Sequence, residues 1–217
     1  MEVINSKIVS LRKEYSSAFL NEEDVNHNPF KQFELWMHQA VEAEILEPNA
    51  MTVSSVSSEG KPSSRIVLLR GFDENGFVFY TNYNSHKGHD MAQNKYACLN
   101  FFWPELERQI RIEGSIAKID QQTSTNYFHS RPRESQIGAW ASIQSAVIAN
   151  RKVVEDAFIY YTEKFKDLEL IPKPEHWGGY NIKPTSIEFW QGRPSRLHDR
   201  LRYSALNDAW KIERLSP

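Results

Sequence analysis

A chain of 217 residues and 25.3 kDa is long enough to close one substantial hydrophobic core. Its 40% hydrophobic and 25% charged residues match a globular chain and argue against a disordered or membrane class. A net charge of −2 and a pI near 6.4 exclude a general polyanion binder, yet leave room for a local basic pocket.

The N-terminal run Met1 to Lys7 has no apolar stretch behind its charges, and the single cysteine, Cys98, can form no internal disulfide. A cytoplasmic protein with no membrane segment is therefore expected. Cys98 lies in a strand-like run and is read as a small buried hydrophobe. The histidines show no metal-ligand spacing, so no metal is expected. Residues 1–217 are read as a single domain, with 1–27 a partly flexible N-terminal segment.

Asn28-Pro29 has the form of a helix start, and Phe30, Phe33, Met37, Val41 and Ile45 follow at near-helical spacing. Extended runs come next: Met51 to Ser57, Arg65 to Phe72, Phe77 to Thr81, Tyr96 to Trp103 and Arg108 to Ile119. Asp73-Glu74-Asn75-Gly76 predicts a hairpin, because Asn-Gly tolerates positive φ. Helices are predicted from Lys87 to Asn94, from Asp120 toward His129, and from Asn150 to Lys166, the last with Val154, Phe158, Tyr161 and Phe165 on one stripe. Strands return at Trp177 to Ile182, Ser186 to Gln191, Arg196 to Tyr203 and Ala209 to Arg214. Hairpin-like strands with interspersed helices imply an α+β fold on a mainly antiparallel sheet or barrel, not a doubly wound parallel sheet.

The segment from Arg196 to Tyr203 alternates like a strand, so Arg196, His198, Arg200 and Arg202 would share one face, with Leu197, Leu201 and Tyr203 on the other. Arginine forks match phosphate and carboxylate oxygens, and histidine exchanges a proton near neutral pH. Such a row suits a flat anionic ligand, against the plainer reading of a solvated edge-strand face. No phosphate-cradling glycine loop is present, so an anion must be held by side chains and other backbone. Arg65 and Arg70 flank a buried-looking strand, and their odd separation sends them to opposite faces unless the strand bulges. Tyr80 to Lys87 joins a strand end to a helix start, where an anion would meet free N–H groups. Tyr127, Arg131 and Ser135 recur at four-residue intervals on what is read as a helix end. Gln109, Gln144 and Ser145 carry no distinctive signal by themselves.

Taken in order, Leu11-Arg-Lys-Glu-Tyr15, Arg65-Ile-Val-Leu-Leu69, Phe79-Tyr-Thr-Asn82, Glu107-Arg-Gln109, Tyr127-Phe-His-Ser-Arg-Pro-Arg133, Ser135-Gln-Ile-Gly-Ala139, Gln144-Ser145, Trp177-Gly-Gly179, Phe189-Trp-Gln-Gly192, Arg196-Leu-His-Asp-Arg200 and Trp210 resemble the pyridoxamine/pyridoxine 5′-phosphate oxidase family over nearly the whole chain. The resemblance implies a split β-barrel with surrounding helices, FMN as cofactor, and a homodimer whose active sites draw residues from both chains. It further implies oxidation of pyridoxine or pyridoxamine 5′-phosphate to pyridoxal 5′-phosphate, with O2 consumed and H2O2 released.

By the same resemblance Arg65, Lys87, Gln144 and Ser145 hold the FMN phosphate, Ile66, Val67, Leu68 and Leu69 lie beside the flavin, and Tyr80, Thr81, Gln109, Trp190 and Arg200 complete the cofactor site. Arg70, Tyr127, Arg131 and Ser135 meet the substrate phosphate, while Arg196, Leu197 and His198 approach the substrate ring, with Arg196 and His198 in the catalytic role. Arg12, Lys13, Glu14 and Tyr15 match a segment that covers ligand in relatives. Two departures stand out: Arg70 replaces a usual lysine, turning a point donor into a fork, and His86-Lys87 replaces a usual Arg-Lys, which would make one phosphate contact pH-dependent. A split-barrel flavin reductase and a noncatalytic FMN or pyridoxal-phosphate carrier are the competing readings; nucleic-acid binding comes third, for lack of an overall basic footprint.

Overall fold

The computed structural model describes Ile4, Ile8, Leu11, Glu14, Tyr15, residues 18–207 and residues 209–217. Arg12 and Lys13 lie outside the described residues. The elements run α1 (Pro29–Glu42), β1 (Ala50–Val56), β2 (Pro62–Leu68), β3 (Gly71–Asp73), β4 (Gly76–Asn82), α2 (His86–Gln93), β5 (Tyr96–Trp103) and β6 (Arg108–Lys118). They continue through α3 (Gln121–Ser130), α4 (Arg133–Ala141), α5 (Lys152–Lys164), β7 (Trp177–Gln191), β8 (Asp199–Leu206) and β9 (Ala209–Arg214). Hydrogen bonds order the strands β2-β1-β5-β6-β7-β4-β3, with β8 on β7 and β9 on β8. The paired registers of β1–β2, β3–β4, β4–β7, β7–β8 and β8–β9 are all antiparallel, as the hairpin-rich pattern predicts.

Local chemistry explains most boundaries. Asn28 caps α1 by accepting from the N–H groups of Phe30 (2.8 Å) and Lys31 (3.3 Å), with Pro29 at the first helical position. Asp120 caps α3 by accepting from Thr123 N at 2.8 Å, and Ser85 caps α2 by accepting from Gly88 N at 3.3 Å. The β3–β4 turn forms where expected but by another device. Asp73 Oδ1 accepts from Asn75 N at 2.7 Å, and the positive φ of 139° falls on Gly76, where a side chain would run into Ile182 O.

Three expectations are corrected. The stripe of α1 is Phe30, Phe33, Trp36 and Ala40, while Val41 is exposed and Met37 only half-buried. Tyr127 to Trp140 is two helices, not one helix end: the residue before a proline is driven out of the helical region, and Arg131, at φ −76° and ψ 150°, ends α3 so that α4 can start after Pro132. The predicted strands at Trp177 and Ser186 are one strand, β7, which pairs with β4 over Trp177–Ile182 and with β8 over Ser186–Gln191. Pro184, which has no N–H to give a ladder, falls between the two pairings. Cys98 is half-buried.

Contacts divide the chain into two compact units, each made of discontinuous segments. Unit 1 is Met1–Pro48, Asn100–Ile112 and Ser186–Pro217; unit 2 is Asn49–Leu99 and Glu113–Thr185. In unit 1, α1 buries its aromatic stripe on strand residues, with Phe33 on Phe101 (5.3 Å), Trp36 on Phe189 (5.1 Å) and Phe189 on Tyr203 (5.4 Å), all edge-on. Arg108 stacks over Trp36 at 4.4 Å and donates to Gln191 (2.9 Å) and Gln39 (2.5 Å), tying the helix to β6 and β7. In unit 2, Phe128, Ile137, Phe165, Ile171 and Trp177 form one buried cluster, and the predicted α5 stripe of Phe158 and Tyr161 packs against it. Phe165 is buried just beyond the end of α5.

Candidate active site

Unit 2 contains a cavity of about 470 Å3 whose wall includes Ile66, Val67 and Leu68 from β2, Tyr80 and Thr81 from β4, Lys87 from α2, and Arg70. Tyr127, Arg131, Ser135 and Gln144 complete the polar part. A volume of this size suits a small-molecule ligand. Ile66 is 66% exposed, an unusual position for an apolar strand residue and one suited to a flat ligand face. Leu69, by contrast, is buried.

Arg70 reaches the cavity through a change of strand partner. Leu69 N donates to Asn49 O at 2.8 Å, beside β1, and Arg70 N donates to Val78 O at 2.8 Å, on β4. Arg65 does not line the cavity wall. It shares the face of Ser63, and its Nη1 donates to Ser55 Oγ at 2.7 Å while Nη2 donates to Ser63 Oγ at 2.6 Å. Ser55 and Ser63 are direct cross-strand partners in the β1–β2 register. Both hydroxyls donate onward to Asp90 Oδ2, at 2.7 and 3.1 Å. Burial alone would raise the Asp90 carboxyl, but the two serine hydrogen bonds, with the charges of His86 and Arg65, outweigh it and hold it below the ordinary value. The exposed His86 ring has Nδ1 3.8 Å from Asp90 Oδ2, and its backbone N–H donates to Ser145 Oγ at 3.3 Å.

Lys87 is 7% exposed and among the described residues has only neutral partners: Nζ donates to Thr81 Oγ1 at 3.0 Å, Gln144 Oε1 at 3.0 Å and Ser85 Oγ at 3.4 Å. Desolvation, reinforced by the charge of Arg65, lowers its pKa to about 8. Gly88 lets α2 begin so close to the preceding loop, since a side chain there would collide with Tyr83 O. A buried ammonium with no carboxylate partner among the described residues carries an uncompensated desolvation cost, and it lies in the first turn of α2, where positive charge already accumulates.

The aromatic side of the cavity is a stack. The Tyr80 ring lies 3.8 Å from Tyr127 and 5.4 Å from Trp177, at 14° and 10°, and Arg131 sits 4.7 Å over Trp177. Burial, with Arg70 nearby, pushes the Arg131 pKa down, and its Nη1 is buried with no hydrogen-bond partner among the described residues. A buried donor left open in this way costs free energy unless a ligand oxygen fills it.

Unit 1 carries a second cleft, of about 730 Å3, lined by Glu14, Tyr15, Trp190, Arg193, Arg196 and His198 among others. The expected strand from Arg196 is corrected here. Pro194–Arg196 forms a short 3-10 turn, Ser195 and Arg196 have φ of 56° and 62°, and β8 starts only at Asp199. Alternation holds within β8, where Leu201 and Tyr203 are buried and Arg200 and Arg202 face away, but Leu197 is 69% exposed instead of sharing their packed side. Nor is the cationic row open to an anion throughout. Arg200 pairs with buried Glu188 at 2.7 Å, which also pairs with Arg111 at 2.7 Å, and Arg202 pairs with Glu213 at 3.0 Å. Arg196 alone of the three arginines has no carboxylate partner among the described residues.

His198 packs on Trp190 at 4.6 Å and on Tyr15 at 5.7 Å. Its Nδ1 accepts the Arg193 backbone N–H at 3.1 Å, which puts the proton of the neutral ring on Nε2. Desolvation and the Arg196 charge lower its pKa. Gln109 is a half-buried β6 residue of this unit. The predicted site residues thus fall into two sets, those from Arg65 to Lys87 and from Tyr127 to Ser145 in unit 2, and Glu14, Tyr15, Gln109, Trp190, Arg196, Leu197, His198 and Arg200 in unit 1. Sequence reading missed Ser55, Ser63 and Asp90 and gave Trp177 no role. Only their spatial neighbours mark them.

Residues 37–164 match the sequence profile described as pyridoxamine 5′-phosphate oxidase, and residues 177–217 match that of the pyridoxine 5′-phosphate oxidase C-terminal dimerisation region. A pyridoxine/pyridoxamine 5′-phosphate oxidase of Cytophaga hutchinsonii is 51% identical over 215 residues, covering 99% of this chain and 100% of the relative. One from Cyanothece sp. is 53% identical over 210 residues, covering 97% and 98%. Among solved structures, PhzG from Burkholderia lata, in complex with tetrahydrophenazine-1-carboxylic acid, superposes with a TM-score of 0.87 at 26% identity, covering 94% of this chain and 100% of that one. A Nostoc punctiforme FMN-binding protein shares the fold at a TM-score of 0.68 and 16% identity, covering 89% of this chain and 100% of that one. The two profiles, the near-complete relatives and the cation-lined cavity agree: this chain belongs to the pyridoxamine 5′-phosphate oxidase family, with its FMN-binding split-barrel fold.

Proposed function

We propose that this chain is an FMN-dependent oxidase converting pyridoxine or pyridoxamine 5′-phosphate to pyridoxal 5′-phosphate, acting as a homodimer with shared sites. The observation that carries the reading is two anion-holding groups in one cavity. Lys87 with Thr81 and Gln144 suits the cofactor phosphate, and Arg70, Tyr127, Arg131 and Ser135 suit the substrate phosphate. The residues fit FMN: Lys87, on neutral acceptors only among the described residues, calls for phosphate oxygens, and exposed Ile66 offers a surface to a flat ring, while the open donor on Arg131 is left for the substrate phosphate. When held by these residues, FMN would supply the redox chemistry: it would accept the hydride equivalent of the substrate carbon, and O2 would take up the two electrons with two protons as H2O2, the amine substrate also consuming water and releasing ammonia.

The protein's part is binding, orientation and proton management. Arg70 and Arg131 hold the substrate by its remote phosphate, so that binding energy far from the reacting carbon fixes its position. Arg196, without a carboxylate, brings positive charge to the substrate ring. His198 is held neutral and offers Nε2–H as a donor; neither residue acts as a nucleophile. Trp190, Gln109 and Arg200 complete the cofactor site, with Arg200 braced by Glu188. The dimerisation match over 177–217 contains Trp190, Arg196, His198 and Arg200, which supports their joining the cavity of the partner protomer.

Purified protein is tested by its flavin spectrum and by O2 uptake with each phosphorylated vitamer. Bound FMN without turnover would favour a carrier, and absence of FMN binding would sink both flavin readings. Sharing is tested by mixing Arg65→Ala and Arg196→Ala protomers: sites built from both chains should recover about a quarter of wild-type activity in a statistical mixture, because one site of each mixed dimer is intact. No recovery would place both residues in one chain's site.

A further inference from the structure

None of Ser55, Ser63 and Asp90 lines the cavity, and the group has no part in the function above. We infer that Asp90 is a positioning residue for cofactor binding, which aims the Arg65 guanidinium through the two serine hydroxyls; this rests on the reading of the site as an FMN phosphate site.

The geometry is a relay with fixed direction. A serine has one O–H to give. Ser55 and Ser63 both give theirs to Asp90 Oδ2, at 2.7 and 3.1 Å, so their lone pairs are left to accept from Arg65, at 2.7 and 2.6 Å. Without the carboxylate, each hydroxyl would be free to rotate, and its proton could turn toward the guanidinium.

Arg65 has five N–H donors in a rigid fork. Nη1 is occupied by Ser55 Oγ and, at 3.2 Å, by Ser63 O, and one Nη2 proton by Ser63 Oγ. Among the described residues Nε and the second Nη2 proton have no acceptor, and both can serve an anion. Ser55 and Asp90 are buried, at 1% and 4% exposure, so the relay works with little competition from water. The arrangement comes from two elements of unit 2: the β1–β2 register sets Ser55 opposite Ser63 two residues from Arg65, and α2 brings Asp90 in against them.

The same placement suits the charge balance. Asp90 stands one hydroxyl away from Arg65 instead of pairing with it directly, so it offsets a half-buried cation without taking up the donors that phosphate needs. The charged groups facing Asp90 are Arg65, through the serines, and His86, 3.8 Å away. Lys87 is directed elsewhere, onto Thr81 and Gln144.

The test is FMN titration of the apoprotein, followed by flavin fluorescence, with thermal unfolding of each apoprotein in parallel. Asp90→Ala should weaken FMN binding about tenfold or more, the scale of a lost charge-assisted hydrogen-bond set. Asp90→Asn, which keeps an acceptor for both hydroxyls, should recover most of that loss. In an Arg65→Ala background, Asp90→Ala should cost little further affinity, because the group it aims is gone. A purely structural Asp90 would weaken FMN equally in both backgrounds, and that additivity would overturn the inference. Should Asp90→Ala fail to fold, Ser55→Ala serves in the same cycle with the same expected non-additivity. Wild-type protein that binds no FMN overturns the functional reading and this inference together; wild-type binding with unchanged affinity in Asp90→Ala overturns the inference alone.

Discussion

The cavity of unit 2 and the cleft of unit 1 treat their cations in opposite ways. In unit 2, Lys87 is buried on neutral acceptors, Arg131 keeps an open buried donor, and Arg65 sees its carboxylate only through two hydroxyls. In unit 1, Arg200 is paired with Glu188, Arg202 with Glu213, and Arg193 and Arg214 with Asp199, at 3.5 and 2.7 Å. Cations of the first kind carry a desolvation cost that an incoming phosphate relieves, whereas those of the second are already satisfied and serve as scaffold. Two unit 1 cations depart from this: Arg108 rests on the neutral acceptors Gln39 and Gln191, and Arg196 is presented by the strained Pro194–Arg196 turn with no counter-ion among the described residues. The difference teaches that a cation's presence does not mark a ligand site: the charge of its neighbours and its access to a cavity count together, and Arg108, which lines neither the cavity nor the cleft, braces on neutral acceptors.

The sharpest way to break this comparison is to remove one unpaired cation from each side. Arg196→Ala is expected to lower kcat by about a hundredfold while leaving FMN affinity within about threefold, because its proposed role is to orient substrate and not cofactor. Arg65→Ala should do the reverse, and the opposite ordering in steady-state assays and FMN titrations would undo the division of roles.

The next effect concerns Lys87. On the proposed reading its charged form would bind phosphate, and burial has brought its pKa down to about 8. As pH rises through that value the ammonium discharges, so FMN affinity should fall above about pH 8, by up to about tenfold per unit. Lys87→Met should bind weakly at pH 7 and lose this slope. A slope that survives in the variant would assign it to another group.

A brace should answer differently. Glu188 is 2% exposed between Arg111 and Arg200, so Glu188→Ala leaves both arginines without their shared carboxylate and should destabilise the protein by about 3 kcal/mol in urea unfolding. An unchanged midpoint would show that the pairs contribute nothing net.

The smallest expected effect is on His198. Desolvation and Arg196 both disfavour its charged form, so the neutral ring persists to below the ordinary histidine value, and the acid limb of kcat/KM should lie below about pH 6.5. Arg196→Ala removes the second cause and should move that limb upward by a fraction of a unit; a downward move would contradict the assignment.

What the sequence by itself determined were features governed by neighbours along the chain. The helix starts at Asn28 and Asp120, the hairpin at Asp73 to Gly76, the alternation of Leu201 and Tyr203 against Arg200 and Arg202, and the α5 stripe all follow rules that act within a few residues. The ordered series of motifs also carried the family, though composition alone gave Gln109, Gln144 and Ser145 no weight.

The tertiary structure alone decided which of these meet. It took Arg196 and His198 out of the strand, because Pro194 and two left-handed residues form a turn where alternation predicted extension. It merged two strands across Pro184, since the partner strand changes at the one residue with no N–H to give. It joined Ser55 to Asp90 across 35 positions and Lys87 to Gln144 across 57, contacts that no local pattern encodes. Hydrogen bonds and desolvation depend on distance in space, and that distance is set only when the sheet and helices close on one another.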